Sequence, residues 1–372
     1  MLGWSAFSGP RATPSGGVLN NPFKRYTTSG RAAIALALRA LDIQRGDKVL
    51  VPTYHCPTMI APVARIGAQP VFYPITASGA ADQGWLERAQ LGGVRALLAT
   101  HYFGIPRPMS RLRAFCDAHR IALIEDCAHA FFGEYEGAPV GGSGNLAIAS
   151  LPKFFPTPEG GLLSSATRPL DTLDLAPSGL RDELKAAVDA VELGATHRRF
   201  AGMNALLSGV FGLKRRLRRG SSTSSAGLGG GVASSAADPR LDSLGPAWVA
   251  RWISGIVCRS RIVERRRANY AGLAARLLRI DGARALFPEL PEGATPYVFP
   301  LYVEKPEASY QKLRSEGIPI FRWDEIWPGT PAIVGDHGLD WANRVFQLGC
   351  HQDLSSSDIE AIAGTVRACI RS

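Results

Sequence analysis

The first half of the chain alternates short apolar runs with stretches whose apolar residues recur at helical spacing, and few folds accept that alternation. "SGRAAIALALRALDI" predicts a helix from about Gly30 to Leu41, opened by a Ser-Gly. "DKVLVP" predicts a short buried strand, followed by a helix from about Pro57 to Ile66 and a strand over "PVFYPI". The run "VRALLATHYF" reads as a strand, "MSRLRAFCDAHR" as a helix and "IALIED" as a strand, with "LAIASL" and "GLLSS" as two more. Apolar strands alternating with helices imply an α/β domain in which a mostly parallel sheet is covered on both faces. Ligands of such sheets sit at the carboxyl ends of the strands.

A chain of 372 residues is long enough for this domain and a smaller one. "GSSTSSAGLGGGVASSAAD", Gly220 to Asp238, has the composition of a flexible connector. Beyond it a long helical pattern starts near Pro246, with Trp248, Trp252 and Ile256 four apart on one face. "YVFPLYVE" reads as a strand and "ASYQKLRSEG" and "SSSDIEAIAGTVRACI" as helices, which suits a small α+β domain. The division expected is 1–240 for the large domain, with 220–238 as connector, and 241–372 for the linking helix and small domain.

No apolar run approaches the ~18 residues of a membrane span, and the N-terminus does not read as a signal peptide. Six scattered cysteines with no C-x-x-C pair fit neither a disulfide framework nor a zinc site; no metal is expected, and the usage suits a reducing cytoplasm. Two stretches, Lys214–Arg219 (+5) and Arg259–Arg267 (+4), supply nearly all of the net charge of +10. Charge alone leaves open a nucleic-acid binder, an enzyme for phosphorylated substrates and a basic helix on a membrane surface.

The chemistry-bearing residues lie at the ends of these elements. A Ser-Gly at a helix start offers free amides and the positive end of the helix dipole, which suits a phosphate. Asp126 closes an apolar strand, with His129 three residues on. Ser150-x-x-Lys153 follows, inside the otherwise apolar "SLPKFFPTPEGGLL", where a strongly hydrated lysine is out of place unless paired or chemically employed. A serine nucleophile activated by lysine would give the same spacing, but its companion motifs KTG and G-x-S-x-G are absent. A phosphate-binding helix start, an Asp ending a strand and a lysine, in that order, are what pyridoxal phosphate requires.

The segments "TSGRAAIALALRAL", "GDKVLVPTYHCPT", "GAQPVFYPI", "HYFGIP", "IALIEDCAHAFFGEYEGAPVGGSGNLAIASLPKFFPTPEGGLL" and, more loosely, "YVFPLYVE" with "LRSEGIPIFRW" resemble the DegT-type sugar aminotransferases. The resemblance implies a three-layer α/β/α pyridoxal-phosphate transferase domain with a smaller C-terminal α+β domain. It makes Lys153 the lysine that bonds the cofactor, Asp126 the partner of the ring nitrogen and His129 the neighbour of the phenolic oxygen. Ser150 with the amides of Gly30 and Arg31 would hold the phosphate. Four positions depart from the family: Cys56 stands where an aromatic stacks on the ring, Arg31 replaces a threonine, Pro74 replaces an aspartate, and Ser150 lies two residues closer to the lysine. Tyr54 or His55 is therefore the expected stacking group, Arg322 a candidate for the carboxylate of an amino donor, and His101 a candidate for lining the pocket.

These features imply a cytoplasmic homodimer that moves an amino group from an amino acid, glutamate being the expected donor, to a nucleotide-linked keto sugar for polysaccharide or natural-product synthesis. No nucleic acid is expected as a partner, and membrane-surface contact through Lys214–Arg219 is a lesser reading. Two rivals are a lyase or dehydratase on the same scaffold and a non-catalytic regulatory or nucleic-acid-binding protein. Retention of the lysine argues against the sugar dehydratases that resemble this family, in which histidine replaces it.

Overall fold

The structure, a computed structural model, describes residues 2–9, 16–207, 209, 211 and 238–370. The connector read over Gly220–Asp238, apart from Asp238 itself, and the basic run Lys214–Arg219 lie outside the described residues.

The large sheet is built from β1 (Phe23–Thr27), β2 (Lys48–Pro52), β3 (Gln69–Tyr73), β4 (Val94–Thr100), β5 (Ala122–Asp126), β8 (Leu146–Ser150) and β9 (Gly161–Ser165). Its order is β1-β9-β8-β5-β4-β2-β3. The five strands from β8 to β3 run parallel, while β9 is antiparallel to both its neighbours. Between β5 and β8 a small hairpin, β6 (Glu134–Tyr135) and β7 (Ala138–Pro139), projects from the sheet. The connecting helices are α1 (Gly30–Ala40), α2 (Pro57–Arg65), α3 (Gln83–Arg88) and α4 (Ser110–His119).

Two-residue periodicity explains why the strands are apolar throughout. Leu146 and Ile148 of β8, with Ala96 and Leu98 of β4, pack under α1 and α2 on one face. Their neighbours Ala147 and Ala149, and Leu97 and Ala99, face the opposite layer. Helix α1 buries Ile34, Leu36 and Leu38, each worth about 1.5–3 kcal/mol on removal from water. Its entry is fixed by Ser29, whose Oγ accepts from the Ala32 amide at 3.1 Å.

The second half of the chain differs from its sequence reading in its helices. Helix α5 (Leu180–Thr196) precedes two helices where one was expected, α6 (Trp248–Ile256) and α7 (Arg259–Leu277). Val257 adopts an extended backbone and separates them. Helix α6 packs Val249 and Ile253 into the cluster beneath the large sheet, which leaves Trp248, Trp252 and Ile256 on its exposed face. Beyond α7 lies an antiparallel sheet in the order β10 (Arg279–Ile280), β11 (Ala283–Ala285), β12 (Val298–Val303), β14 (Val345–Gly349) and β13 (Ile320–Phe321). Helices α8 (Pro306–Ser315) and α10 (Ser356–Ile370) share its core, while α9 (Gly338–Arg344) sends Trp341 and Ala342 toward the large sheet.

A smaller departure shapes the site. The run "VRALLATHYF" stops being a strand at Thr100, and the chain turns over Tyr102–Gly104. Gly104 has φ +85°, and a Cβ there would lie 2.3 Å from the Tyr297 amide nitrogen, so glycine lets the two halves of the molecule touch backbone to backbone.

Candidate active site

The carboxyl ends of β4, β5 and β8, the start of α1 and the β12–β14 region enclose a cavity of about 380 Å³. Gly30, Arg31, Asp126, His129, Ser150, Lys153 and Arg322 line it. The structure thus brings together seven of the ten residues named from sequence, drawn from segments far apart in the chain.

At one end is the start of α1. The Ser29 side chain caps the Ala32 amide and the Ser29 carbonyl takes that of Ala33, so the Gly30 and Arg31 amides precede the helix's own hydrogen-bond ladder. A Cβ on Gly30 would sit 3.3 Å from the Ser150 Cβ, and one on Gly161 would sit 2.1 Å from the Ser29 carbonyl oxygen. The two glycines let the amides and the Ser150 hydroxyl converge into a cup of donors.

Asp126 closes β5, and only 5% of it is exposed. One carboxylate oxygen accepts from the Ala128 amide at 2.9 Å; the other has no donor among the described residues. Burial raises its pKa, and the nearby Lys153 works against that rise. Lys153 sits on a single 3-10 turn after β8, with its amine 5.4 Å from the centre of the Tyr297 ring. No carboxylate lies within ion-pair distance of that amine among the described residues. The amine is reached from the cavity but otherwise surrounded by protein, and burial holds its pKa below the usual lysine range although Asp126 opposes this. His129 is buried between the rings of Tyr297 (4.6 Å) and Trp323 (4.9 Å). Its Nδ1 accepts from the Phe103 amide at 3.4 Å, which leaves the proton on Nε2; burial, and then Lys153, keep the ring neutral.

The lysine loop is held from below. The Leu151 amide bonds the Gly160 carbonyl, and Arg266 of α7 donates to the Lys153 carbonyl at 2.7 Å. Gln352 links the same guanidinium to the Phe154 carbonyl. The charged stretch Arg259–Arg267 is therefore largely internal, because Arg261 pairs with Asp353 while Arg265, Arg266 and Arg267 donate to backbone carbonyls.

Four expectations need correction. Tyr54 does not face the cavity; it is wholly buried against Tyr102, Trp323 and Trp341. His55 is buried too, donating from Nδ1 to the Pro52 carbonyl and accepting the Trp327 amide at Nε2. Burial brings its pKa down to about 4. Neither can stack on a ring in the cavity, where the strand-to-helix turn places Cys56 instead. His101 is turned away as well, its Nδ1 accepting the Arg107 amide and its Nε2 donating to Glu125 at 3.0 Å. Burial opposes the Glu125 charge, but His101 and the amides of Gly144 and Gly141 outweigh it and hold the carboxyl below its usual range. His101, Glu125 and Cys127 cluster closely, yet the Glu125 oxygens are already taken up by these donors, so the group is a structural lock. Arg322 does line the cavity, but its guanidinium is bound to Glu307 (2.7 Å) and Asp324 (2.6 Å) and so is not free for a donor's carboxylate.

The sequence reading missed the cavity's aromatic wall and its Thr100 side. Tyr297, Phe321 and Trp323 come from the C-terminal half; the quoted segments "YVFPLYVE" and "LRSEGIPIFRW" contain them, but no local signal marks them as a wall.

Residues 22–171 match the DegT/DnrJ/EryC1/StrS aminotransferase family. A UDP-N-acetyl-3-dehydro-α-D-glucosamine 3-aminotransferase of Acidithiobacillus ferrooxidans is 33% identical in a 156-residue alignment that covers 38% of this chain and 40% of that protein. GDP-perosamine synthase of Vibrio cholerae is 35% identical in a 149-residue alignment, which again covers 38% of this chain and 40% of the relative. The chain thus matches about 40% of the length of these curated relatives. Among solved structures, DesV of S. venezuelae, determined in complex with a ketimine intermediate, superposes with a TM-score of 0.63 at 21% identity. That match covers 94% of this chain and 85% of the other, and it shows the fold.

Proposed function

Residues 22–171 belong to the DegT/DnrJ/EryC1/StrS aminotransferase family, and from that premise we propose that the chain is a pyridoxal-phosphate-dependent aminotransferase. The observation that carries this reading is the meeting of Lys153, Asp126 and the Gly30–Arg31 amides in one cavity from three separate elements. The residues fit the cofactor. Lys153 would hold it through its amine, Asp126 would pair with its ring nitrogen, and the helix-start cup with Ser150 would take its phosphate. His129 would face its phenolic oxygen.

When bound, the cofactor supplies a sink for the electron pair left when an amino acid's α-carbon loses its proton. This chain's residues do the rest. Burial lowers the Lys153 pKa, so more of the amine is free of its proton and able to take one from the α-carbon and return it. A carboxyl whose pKa burial has raised, as at Asp126, keeps its charge best beside a cation, which matches a protonated ring nitrogen. The wall of Tyr297, Trp323 and His129 excludes water from one side of the cavity and keeps the proton transfer between fixed groups.

Glutamate is the donor and a nucleotide-linked keto sugar the acceptor in this proposal; the named sugar-nucleotide activities of the relatives support the acceptor class. A homodimer in the cytoplasm completes it, and six free cysteines suit a reducing compartment. No helix among the described residues is long and apolar enough to cross a membrane.

Absorption spectroscopy tests the reading. The purified protein with pyridoxal phosphate should show a visible band that glutamate shifts to shorter wavelength, and Lys153→Ala should lose that response. A protein that binds no pyridoxal phosphate would end the proposal.

A further inference from the structure

Arg107 is a buried cation that the candidate active site does not use. It lies on the loop between β4 and α4 and is 7% exposed. Its Nε and Nη2 are buried with neither a hydrogen-bond partner nor an ion pair among the described residues. One face of the guanidinium lies over the Phe287 ring, 4.4 Å from Cζ to the centroid, and a ring face accepts no conventional hydrogen bond. Its amide is tied to His101, so the loop cannot easily swing the side chain to solvent. A guanidinium keeps its proton at any ordinary pH, so burying it with donors unpaired is costly unless an acceptor arrives from outside.

The space beside it is suited to one. Arg107 lines a cavity of about 410 Å³, separate from the candidate active site but sharing Thr100 with it. The Thr100 Oγ1 is also buried on this wall, with the Tyr102 hydroxyl as its neighbour. The first turn of α4, from Ser110 to Leu112, lines the same cavity, and that helix carries no side-chain cap. Two other hydroxyls on the lining are already committed, Tyr73 to the Leu98 carbonyl and Tyr102 to the Tyr54 carbonyl. Among the lining residues the one carboxylate is Glu136, exposed on the turn of the β6–β7 hairpin and not paired with Arg107.

We propose that this cavity binds an oxyanion, a phosphoryl group or a carboxylate, held by the Arg107 guanidinium with the Thr100 hydroxyl and the free amides of the α4 start. A planar fork of donors, a hydroxyl and a helix N-terminus form a complementary set for such a group. Thr100 is the strand neighbour of Asp126, so a ligand here sits beside the candidate active site while needing neither cofactor nor lysine. The site stands whether or not the chain is an aminotransferase.

Thermal unfolding of the full chain, loaded with pyridoxal phosphate where it binds, tests this with inorganic phosphate and with malonate at constant ionic strength. One of the two should raise the wild-type Tm saturably, phosphate indicating a phosphoryl ligand and malonate a carboxylate. Arg107→Met should weaken that response by at least about tenfold in apparent affinity. Both proteins share the helix-start cup of the other cavity, so any binding there cancels in the difference. With no anion added, Arg107→Met should match or exceed the wild-type Tm, because no carboxylate loses its partner. Glu136→Gln, on an exposed turn, should tighten binding by removing a like charge from the mouth. The proposal is overturned if neither anion distinguishes wild type from Arg107→Met. It is overturned equally if Arg107→Met alone lowers Tm, which would reveal an internal partner, or if Glu136→Gln leaves the affinity unchanged.

Discussion

Lys153 and Arg266 are joined by a hydrogen bond, and both are cations largely removed from water, yet the protein treats them in opposite ways. Arg266, 1% exposed, donates to the Gln352 side chain and to the carbonyls of Pro296, Tyr297 and Lys153, and it stacks 4.6 Å over Phe154. The Lys153 amine has an aromatic ring at 5.4 Å, a neighbouring Asp126 and open cavity. A buried cation with every nitrogen hydrogen-bonded organises structure; one left unsatisfied in a cavity retains its chemistry. The pair sits on one loop because the first immobilises the backbone that carries the second.

The largest effect that would break this contrast is on turnover. Lys153→Met should lower kcat by about 10²–10⁴-fold or more while leaving Tm unchanged or higher, since an unpaired buried amine is replaced by an apolar chain of similar length. A variant that unfolds would mean the lysine is structural. Arg266→Met should do the reverse in stability, costing about 3 kcal/mol or more in urea unfolding, because several buried oxygens lose their only donor at about 1–3 kcal/mol each. Equal stability of the two variants would erase the distinction.

His55 extends the comparison to pH. Unlike Arg266 it is neutral, but its hydrogen bonds are likewise filled, and its pKa is about 4 against an ordinary 6.5. The folded value lies below the unfolded one, so its contribution is complete above pH 6.5 and is lost as pH falls through about 4. That amounts to about 3 kcal/mol over the window. In His55→Gln the difference in unfolding free energy between pH 7 and pH 4 should shrink by about that amount; an unchanged acid limb would place the titration elsewhere. The smallest effect expected is at Gln352, which accepts from Arg266 and donates to the Phe154 carbonyl. Gln352→Leu should cost about 1–2 kcal/mol and reduce kcat far less than Lys153→Met.

Much of the site was legible before the fold. Gly30, Asp126, Ser150 and Lys153 stand at the ends of elements whose periodicity marks them, and element ends at the carboxyl side of a parallel sheet are where ligands meet. The stacking group was misplaced for a local reason. In "TYHCPT" one residue of turn geometry decides which side chain enters the cavity, and the fold directs Tyr54 toward Trp341 and His55 toward Phe72, leaving Cys56 at the opening. His101 follows the strand "VRALLAT" where a pocket residue would stand, but Glu125, one position before Asp126, claims its ring.

What the amino-acid sequence determined by itself is the backbone frame: alternating apolar strands buried on both faces, a helix capped at its first turn and a lysine on a short turn. These follow from residue-by-residue propensities and spacing, which act over a few positions along the chain. Only the tertiary structure decided which charges are spent and which remain available. Arg259–Arg267 reads as a basic surface until Asp353 and the carbonyls of Pro291, Tyr297 and Lys153 surround it. Arg322 reads as a free cation until Glu307 and Asp324 bind it, and Arg107 reads as an ordinary loop arginine until the fold buries its Nε and Nη2 with no hydrogen-bond partner among the described residues. The physical reason is that a charge is settled by partners within a few ångströms, and in a folded chain those partners come from residues far away in sequence.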